Sequence, residues 1–247
     1  MGRKKTSLIL ITLLLLSINP SSCYSHTVSN SHKLTFPIKS FVKIFQSLSI
    51  TGCVENSKVC QAKSFNSVGS GVVIHTGQDH VNILTAGHVC DVPMWSPVVE
   101  KEITSIENNI AIQTHEDKFY QASIVSLTKV SDERVDLCML RVEKLRLPSV
   151  KIAKRGPIVG DKLYSMSAPV GIYHPPTVPI LQGIYSGKMP DGKNSLSSIP
   201  AVGGSSGSPV LNEKLELVGI LFATHPAFTE ISISSSFEEL KKFLKSK

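Results

Sequence analysis

Three short segments of the chain contain residue types that can perform nucleophilic chemistry. The run 203–210, Gly-Gly-Ser-Ser-Gly-Ser-Pro-Val, places Ser206 between glycines that let the backbone turn sharply and approach a substrate closely. His88 follows a strand-like stretch, and Asp136 lies among strand-forming residues, where a carboxylate needs a hydrogen-bonding or charged partner. Each feature alone has a plain structural explanation: a flexible turn, a packed histidine, or an ion pair with a nearby arginine.

The three residues together fit one reaction, the transfer of an acyl group. Ser206 would attack a carbonyl carbon, His88 would take the proton of its hydroxyl, and Asp136 would hold the imidazole in the required tautomer. The backbone N–H groups of Gly204 and Ser206 would stabilise the oxyanion that forms. The order histidine, aspartate, serine is one of the known chain orders of such a triad. The sequence therefore predicts a catalytic site at these residues.

The segments around these residues resemble the signature blocks of chymotrypsin-like (trypsin-fold) serine peptidases. The matching blocks are Thr85–His88, Asp136–Leu137 and Gly204–Pro209. Residues 206–214 are similar to the glutamyl-endopeptidase branch, and residues 160–171 to a segment of HtrA-type proteases. The likeness spans residues 65–245. It implies a serine endopeptidase that hydrolyses peptide bonds through an acyl-enzyme intermediate and needs no cofactor.

The resemblance also implies an all-β fold of two antiparallel six-stranded β-barrels followed by a C-terminal α-helix. We divide the chain as follows: residues 1–25 are a signal peptide, predicted from their own pattern. A first barrel with His88 and Asp136 covers residues 26–148, and a second barrel with Ser206 and the helix covers residues 149–247. A length of 247 residues suits two small barrels that share a cleft.

Short strand-like runs separated by turn residues agree with an all-β fold. They are Ser40–Phe45, Ser70–His75, Asn82–Leu84, Ile110–Gln113, Gln121–Leu127, Asp136–Val142, Lys162–Met166, Gly183–Tyr185, Pro209–Leu211 and Leu217–Phe222. Only the tail is helical in pattern: Ser236 is the N-cap and Glu239 the third residue of a capping box, followed by an apolar stripe and a basic last turn. We expect this helix to dock on the second barrel; a membrane-surface helix is the alternative.

The N-terminus has the layout of a secretory signal peptide. Three basic residues, Arg3 to Lys5, precede the apolar run Ser7–Ile18, which is shorter than the ~18 residues of a membrane-spanning helix. Cleavage after Cys23 or Ser25 would release a secreted or periplasmic protein without membrane attachment, and we expect a monomer. A lipoprotein acylated at Cys23 and an uncleaved membrane anchor are the open alternatives.

The charge of the chain argues against nucleic-acid binding. The net charge is +7, but three of the 26 basic residues and none of the 19 acidic residues lie in the leader, which leaves +4. This excess is spread over separate lysines, without a basic stripe interleaved with aromatic residues. The expected partner is a protein or peptide substrate.

The cysteines suggest disulfides and no metal site. Five cysteines become four if Cys23 leaves or carries a lipid, and an even number in an exported chain suggests pairing. Four cysteines can pair in three ways. We expect a Cys53–Cys60 disulfide, which would close a short loop. Cys90 and Cys138 each lie two residues beyond a triad member, so their sulfurs could meet; two buried thiols are the equal alternative. No Cys-x-x-Cys pair accompanies the clustered histidines, so zinc is not expected.

The resemblance gives a partial view of substrate specificity. Pro200 stands where trypsin-type enzymes carry the acid that binds lysine or arginine, and Ala201 and Leu221 stand where glutamyl endopeptidases use threonine and histidine. We therefore expect an apolar pocket that prefers small or medium apolar residues before the cleaved bond (P1). His225 lies near this wall and is interpreted as a loop residue. Ser205 replaces the aspartate that binds the new N-terminus in trypsin-type zymogens, so activation by that salt bridge is not expected.

Two other classes of protein fit parts of the sequence. An α/β-hydrolase esterase would use Ser205 in a Gly-x-Ser-x-Gly pattern, and it needs an acid and a histidine after the serine as well as parallel βαβ units. Only 41 residues follow Ser206, His225 is the single histidine among them, and little helical pattern is present, so this class is rejected. A catalytically silent binding module on the trypsin-like scaffold is the remaining alternative, although such modules usually lack a triad residue and none is missing here.

Overall fold

The computed structural model describes residues 34–53, 60–91, 102–128 and 135–246. The expected signal peptide and Cys23 lie outside these residues. In the described part, no helix combines the length and apolar character needed to cross a membrane. From Phe36 onward the chain packs as one unit that contains all the elements below.

Twelve strands and one α-helix form the described part of the chain. The strands are β1 (Phe41–Cys53), β2 (Cys60–Thr76), β3 (His80–Thr85), β4 (Glu102–Gln113), β5 (Phe119–Leu127), β6 (Cys138–Glu143), β7 (Lys162–Met166), β8 (Ile180–Lys188), β9 (Asn194–Ser197), β10 (Pro209–Leu211), β11 (Leu217–His225) and β12 (Phe228–Ser235), and the helix is α1 (Phe237–Lys245). One barrel closes in the order β1-β2-β3-β6-β5-β4 and the other in the order β7-β8-β9-β12-β11-β10. The predicted fold of two six-stranded antiparallel barrels with a C-terminal helix is confirmed.

Alternating burial along β1 shows how the first barrel forms. The even-numbered residues from Val42 to Ile50 are all buried, whereas the odd-numbered ones from Lys43 to Ser49 are partly or fully exposed. This period of two is that of a strand with one face in a core. β1 and β2 pair from Phe41↔Val72 to Cys53↔Cys60, and a disulfide joins the last pair.

One apolar cluster is shared by the two barrels. It combines Leu84 and Leu137 from the first half of the chain with Met166, Leu211 and Leu240 from the second half. All five side chains are fully buried. Because burial of such a side chain contributes about 1.5–3 kcal/mol, this cluster holds the barrels against each other.

Helix α1 begins and packs as its sequence predicts. The hydroxyl of Ser236 accepts a hydrogen bond from the backbone N–H of Glu239 at 3.4 Å, which satisfies one of the free donors of the first turn. Leu240 and Phe243 point into the shared apolar cluster. The helix therefore docks on the barrels through its apolar stripe.

Two strands have no counterpart in the predicted set. β9 has the sequence Asn-Ser-Leu-Ser, and β12 contains the run Ile-Ser-Ile-Ser-Ser. Serines at buried positions replace the apolar residues that mark a strand, and pairs such as Ser197 and Ser232 satisfy each other by a hydrogen bond of 2.9 Å. Asp136 was expected within a strand and lies instead two residues before β6.

Candidate active site

A short 3-10 helix after β3 presents His88. It spans Gly87–Val89, and the imidazole of His88 is 44% exposed, so a substrate can reach it. A Cβ on Gly87 would lie 2.5 Å from Oδ1 of Asp136. Only glycine at this position leaves room for the carboxylate beside the histidine.

Asp136 holds His88 at two points. Its Oδ2 lies 2.5 Å from Nδ1 of the imidazole, and its Oδ1 accepts the backbone N–H of His88 at 2.7 Å. The carboxylate is only 15% exposed, so both hydrogen bonds are shielded from water. This arrangement fixes the ring and keeps the proton on Nδ1, which leaves Nε2 free to accept one.

The loop with Ser206 is built on two glycines in the left-handed region. Gly204 and Gly207 both have φ near 89°. Gly207 donates its N–H to the carbonyl of Leu221 at 2.7 Å, which anchors the loop on β11. The hydroxyl of Ser206 lies 3.4 Å from the carbonyl oxygen of Phe222, on the same strand. The loop therefore presents Ser206 from the second barrel.

Ser70, on β2 of the first barrel, docks this loop. Its backbone N–H donates to the carbonyl of Ser206 at 2.7 Å, and its hydroxyl donates to the carbonyl of Gly204 at 2.9 Å. The same hydroxyl accepts the N–H of Ala168 at 3.0 Å. A Cβ on Gly207 would collide with the carbonyl oxygen of Ser70. Sequence analysis did not single out Ser70; its only signal is a serine between two glycines within a strand.

Gly69 shows that Ser206 and the histidine helix converge. A Cβ on Gly69 would lie 2.8 Å from Cγ1 of Val89, next to His88, and 3.2 Å from the carbonyl oxygen of Ser206. One glycine thus faces the histidine segment and the serine loop together. Of the three predicted residues, His88 and Asp136 are in direct side-chain contact. The backbone of Ser206 lies near the segment after His88, and its hydroxyl bonds the Phe222 carbonyl rather than the imidazole.

The backbone of the serine loop leaves two donors free for a ligand. Within residues 34–53, 60–91, 102–128 and 135–246, no hydrogen bond engages the N–H of Gly204 or of Ser206. The N–H of Ser205 and of Ser208 are instead used inside the loop, toward Val202 and Ser205. The two free groups are the ones predicted to bind an oxyanion.

The predicted pocket residues divide into two environments. Ala201 and Leu221 are buried and share an apolar cluster of the second barrel, whereas Pro200 is half-buried. His225 is exposed, and its Nδ1 accepts the N–H of Ala227 at 3.2 Å, as for a loop residue. A cavity of about 450 Å³ lies elsewhere, lined by residues such as Lys154, Asp161, Asn212 and Glu216 but by none of the triad.

Both expected cysteine pairs are disulfides in the structure, Cys53–Cys60 and Cys90–Cys138. The second bond joins the segment after His88 to the first residue of β6, close to Asp136. It therefore ties together the two backbone segments that carry the His88–Asp136 contact. Among the described residues, no group of three or more histidine, cysteine, aspartate or glutamate side chains could hold a metal ion.

A family model covers much of both barrels. A family model described as "Trypsin-like peptidase domain" matches residues 69–220. A comparison with curated proteins finds no match.

Solved structures share the fold at low sequence identity. A serine endoprotease from Yersinia pestis is 19% identical with a TM-score of 0.59, covering 85% of this chain and 63% of its own. The HtrA-type protease AlgW with a decapeptide is 16% identical with a TM-score of 0.64, covering 85% and 64%. The protein Rv3671c from M. tuberculosis is 18% identical with a TM-score of 0.56, covering 85% and 87%. The chain thus spans less than two thirds of the length of the first two.

Proposed function

Because the chain belongs to the trypsin-like peptidase domain family, a family of serine endopeptidases, we propose that it hydrolyses peptide bonds with Ser206, His88 and Asp136 as its triad. The observation that carries this assignment is the double hydrogen bond from His88 to Asp136. That contact does for an imidazole what a general base requires: it sets the tautomer and stabilises the imidazolium.

The reaction begins with attack of Ser206 on the substrate carbonyl. The hydroxyl turns from the carbonyl of Phe222 toward Nε2 of His88, which takes its proton as the oxygen bonds to carbon. The N–H groups of Gly204 and Ser206 stabilise the oxyanion. The imidazolium then protonates the leaving amine, and water hydrolyses the acyl-enzyme by the same steps in reverse order.

Activation without a new N-terminus is part of the proposal. Ser205, just before the nucleophile, is buried, and its hydroxyl accepts the N–H of Val202 at 3.3 Å. A neutral, locally bonded side chain at this position offers no charge to an N-terminal amine. An N-terminally extended protein that stays inert until it is clipped would contradict this point.

We further propose a preference for small or medium apolar P1 residues. Ala201 and Leu221 supply an apolar wall without a charged group. Peptide-library profiling tests this: cleavage mainly after charged residues would contradict it.

Export of the protein is proposed from its leader pattern and its disulfides. Two disulfides are expected in an oxidising compartment such as the periplasm or the extracellular space. Mass spectrometry of the protein recovered from culture medium and periplasm would locate the N-terminus; an intact residue 1 in the cytoplasm would contradict export.

The experiment that tests the activity compares two serines of one loop. Ser206→Ala should abolish peptide hydrolysis, with a loss on the order of 10⁶-fold in kcat. Ser208→Ala is the matched control, because the Ser208 hydroxyl is buried and has no hydrogen-bond partner among the described residues, so its removal should leave kcat unchanged. Equal activity of Ser206→Ala and the wild type would refute the proposal. An inactive wild type that still binds peptides would favour the silent binding module.

A further inference from the structure

The peptide unit between Gly203 and Gly204 needs an external lock if it is to serve as an oxyanion donor. Gly204 has φ of 89°, a region that glycine visits at no steric cost, and Gly203 has no atoms within 4 Å of its ideal Cβ position. A unit flanked by two glycines can rotate easily. Rotation by about half a turn would point the carbonyl of Gly203, instead of the N–H of Gly204, at the substrate oxygen.

The lock is the backbone N–H of Val170, which donates to the carbonyl of Gly203 at 2.6 Å. In a planar trans peptide the C=O and the N–H point in opposite directions. Binding of the Gly203 oxygen on one side therefore directs the N–H of Gly204 to the other side, where it is free.

Val170 is itself held in an unfavourable conformation. Its φ of 46° and ψ of 28° lie in the left-handed region, which a β-branched residue rarely adopts. The residue is 71% exposed, so packing of its side chain does not impose the conformation. The constraint must come from the neighbouring backbone, whose turn is closed by the bonds Gly171 N–H to Ala168 O and Ile172 N–H to Pro169 O.

Lys43 of the first barrel fastens this turn from outside. Its ammonium donates to the carbonyl of Gly171 at 2.7 Å, one residue after Val170. Its ammonium nitrogen also lies over the ring of Phe45, 4.8 Å from the ring centroid. In the described part of the chain no carboxylate pairs with Lys43, so the Gly171 carbonyl is the one hydrogen-bond acceptor of its ammonium there.

Lys43 acts beside Ser70. The two residues are directly opposed in the β1–β2 register, so their side chains leave the sheet on the same face. Ser70 bonds Ala168 and Gly204, while Lys43 bonds Gly171. The cross-strand pair Lys43–Ser70 therefore forms hydrogen bonds to both ends of the turn 168–172, which binds the Gly203 carbonyl.

We propose that Lys43 is a positioning residue for the oxyanion-binding N–H of Gly204, acting through Gly171, Val170 and the carbonyl of Gly203. The inference rests on the proposed peptidase function. It also makes a prediction about the Gly203–Gly204 peptide that is independent of activity.

The kinetic test replaces the ammonium and keeps the length of the side chain. Lys43→Met should lower kcat by about 10- to 100-fold, less than the 10²–10³-fold loss of a whole oxyanion donor, with KM within about threefold of wild type. Lys43→Arg should restore most of kcat, because it keeps a charged donor and the contact with the Phe45 ring. Lys151→Met is the matched control, because Lys151 is exposed and its side chain has no hydrogen bond or ion pair among the described residues.

The structural test uses a feature of the sequence: Gly203–Gly204 is the only Gly-Gly pair in the chain. Protein labelled with [1-¹³C,¹⁵N]glycine therefore gives a single HNCO cross-peak, from the Gly203 carbonyl and the Gly204 N–H. This peak should shift or split in Lys43→Met and stay in place in Lys43→Arg and Lys151→Met. If Lys43→Met does not fold, Lys43→Gln, whose amide is too short to reach Gly171, should give the same shift.

The outcomes are distinguishable. A Lys43→Met protein with wild-type kcat, or with an unmoved cross-peak, overturns the positioning role. A wild-type protein that cleaves no peptide overturns the proposed function, and the cross-peak then decides the positioning role alone. A fall in melting temperature with an unmoved cross-peak assigns Lys43 to stability only and also overturns the proposal.

Discussion

Replacement of Asp136 by asparagine is the sharpest perturbation of the His88 contact. The two oxygens of Asp136 accept two N–H groups of one residue, the backbone N–H and Nδ1–H of His88. Asparagine offers one acceptor and one donor. Because a backbone N–H cannot become an acceptor, the amide oxygen must stay with it, and the NH₂ group then faces Nδ1.

This geometry forces the wrong tautomer. Nδ1 can accept from the NH₂ group only when it carries no proton, so the proton moves to Nε2, the atom that must receive the proton of Ser206. The loss expected for a wrong tautomer in serine peptidases of this type is on the order of 10⁴-fold in kcat, or about 5.5 kcal/mol of transition-state stabilisation. KM and the thermal midpoint should change little, since the volume and the backbone hydrogen bond are kept.

Steady-state hydrolysis of a fluorogenic peptide at neutral pH measures this effect. Asp161→Asn is the matched control. Asp161 is exposed, and among the described residues its carboxylate accepts one hydrogen bond, from the N–H of Ile158 at 2.9 Å, which an amide oxygen can also accept. The control should keep wild-type kcat. A kcat of Asp136→Asn within tenfold of wild type would refute the argument that this carboxylate sets the tautomer.

Three further predictions concern stability. Ser70→Ala should lower the free energy of unfolding by about 2–4 kcal/mol and reduce kcat, because it leaves the buried N–H of Ala168 and the partly buried carbonyl of Gly204 without this partner. Urea denaturation with an unchanged midpoint would contradict this. Loss of the Cys90–Cys138 disulfide, which spans 48 residues, should lower the free energy of unfolding by about 4 kcal/mol, and loss of Cys53–Cys60, which spans seven, by about 2 kcal/mol. Equal urea midpoints of the two double-alanine variants would contradict this. Burial raises the pKa of Tyr173 to about 12, so the folded protein keeps this proton after the unfolded chain has lost it near pH 10. The contribution of Tyr173 to the free energy of unfolding should therefore be intact below pH 10 and fall between pH 10 and 12. Tyr173→Phe should lose less stability over this range; an equal fall of the free energy of unfolding in both proteins would contradict the raised pKa of Tyr173.

The fold class and the segments around the site could be predicted because their signals are local. The glycines around Ser206, the residues before His88 and the N-cap at Ser236 each encode a backbone conformation in a few consecutive residues. Strand ends and the strands β9 and β12 could not be predicted in the same way. Their buried positions carry serines such as Ser197 and Ser232, which satisfy each other only once the barrel has closed.

Ser70 and Lys43 could not be identified from the sequence for a similar reason. Ser70 acts through Gly204 and Ala168, and Lys43 acts through Gly171, and both contacts form only when the barrels meet. The left-handed backbone of Val170 contradicts its local preference and depends on that docking. Sequence patterns identify the groups that could react, whereas their alignment is a property of the tertiary structure.

Labelling with a fluorophosphonate tests the central claim most directly, because this reagent forms a bond only with a serine that a nearby base activates. The account predicts one adduct, located by peptide mass spectrometry on Ser206, which disappears in His88→Ala and persists in Ser208→Ala. An adduct on another serine, or an adduct on Ser206 that forms equally fast without His88, would contradict it.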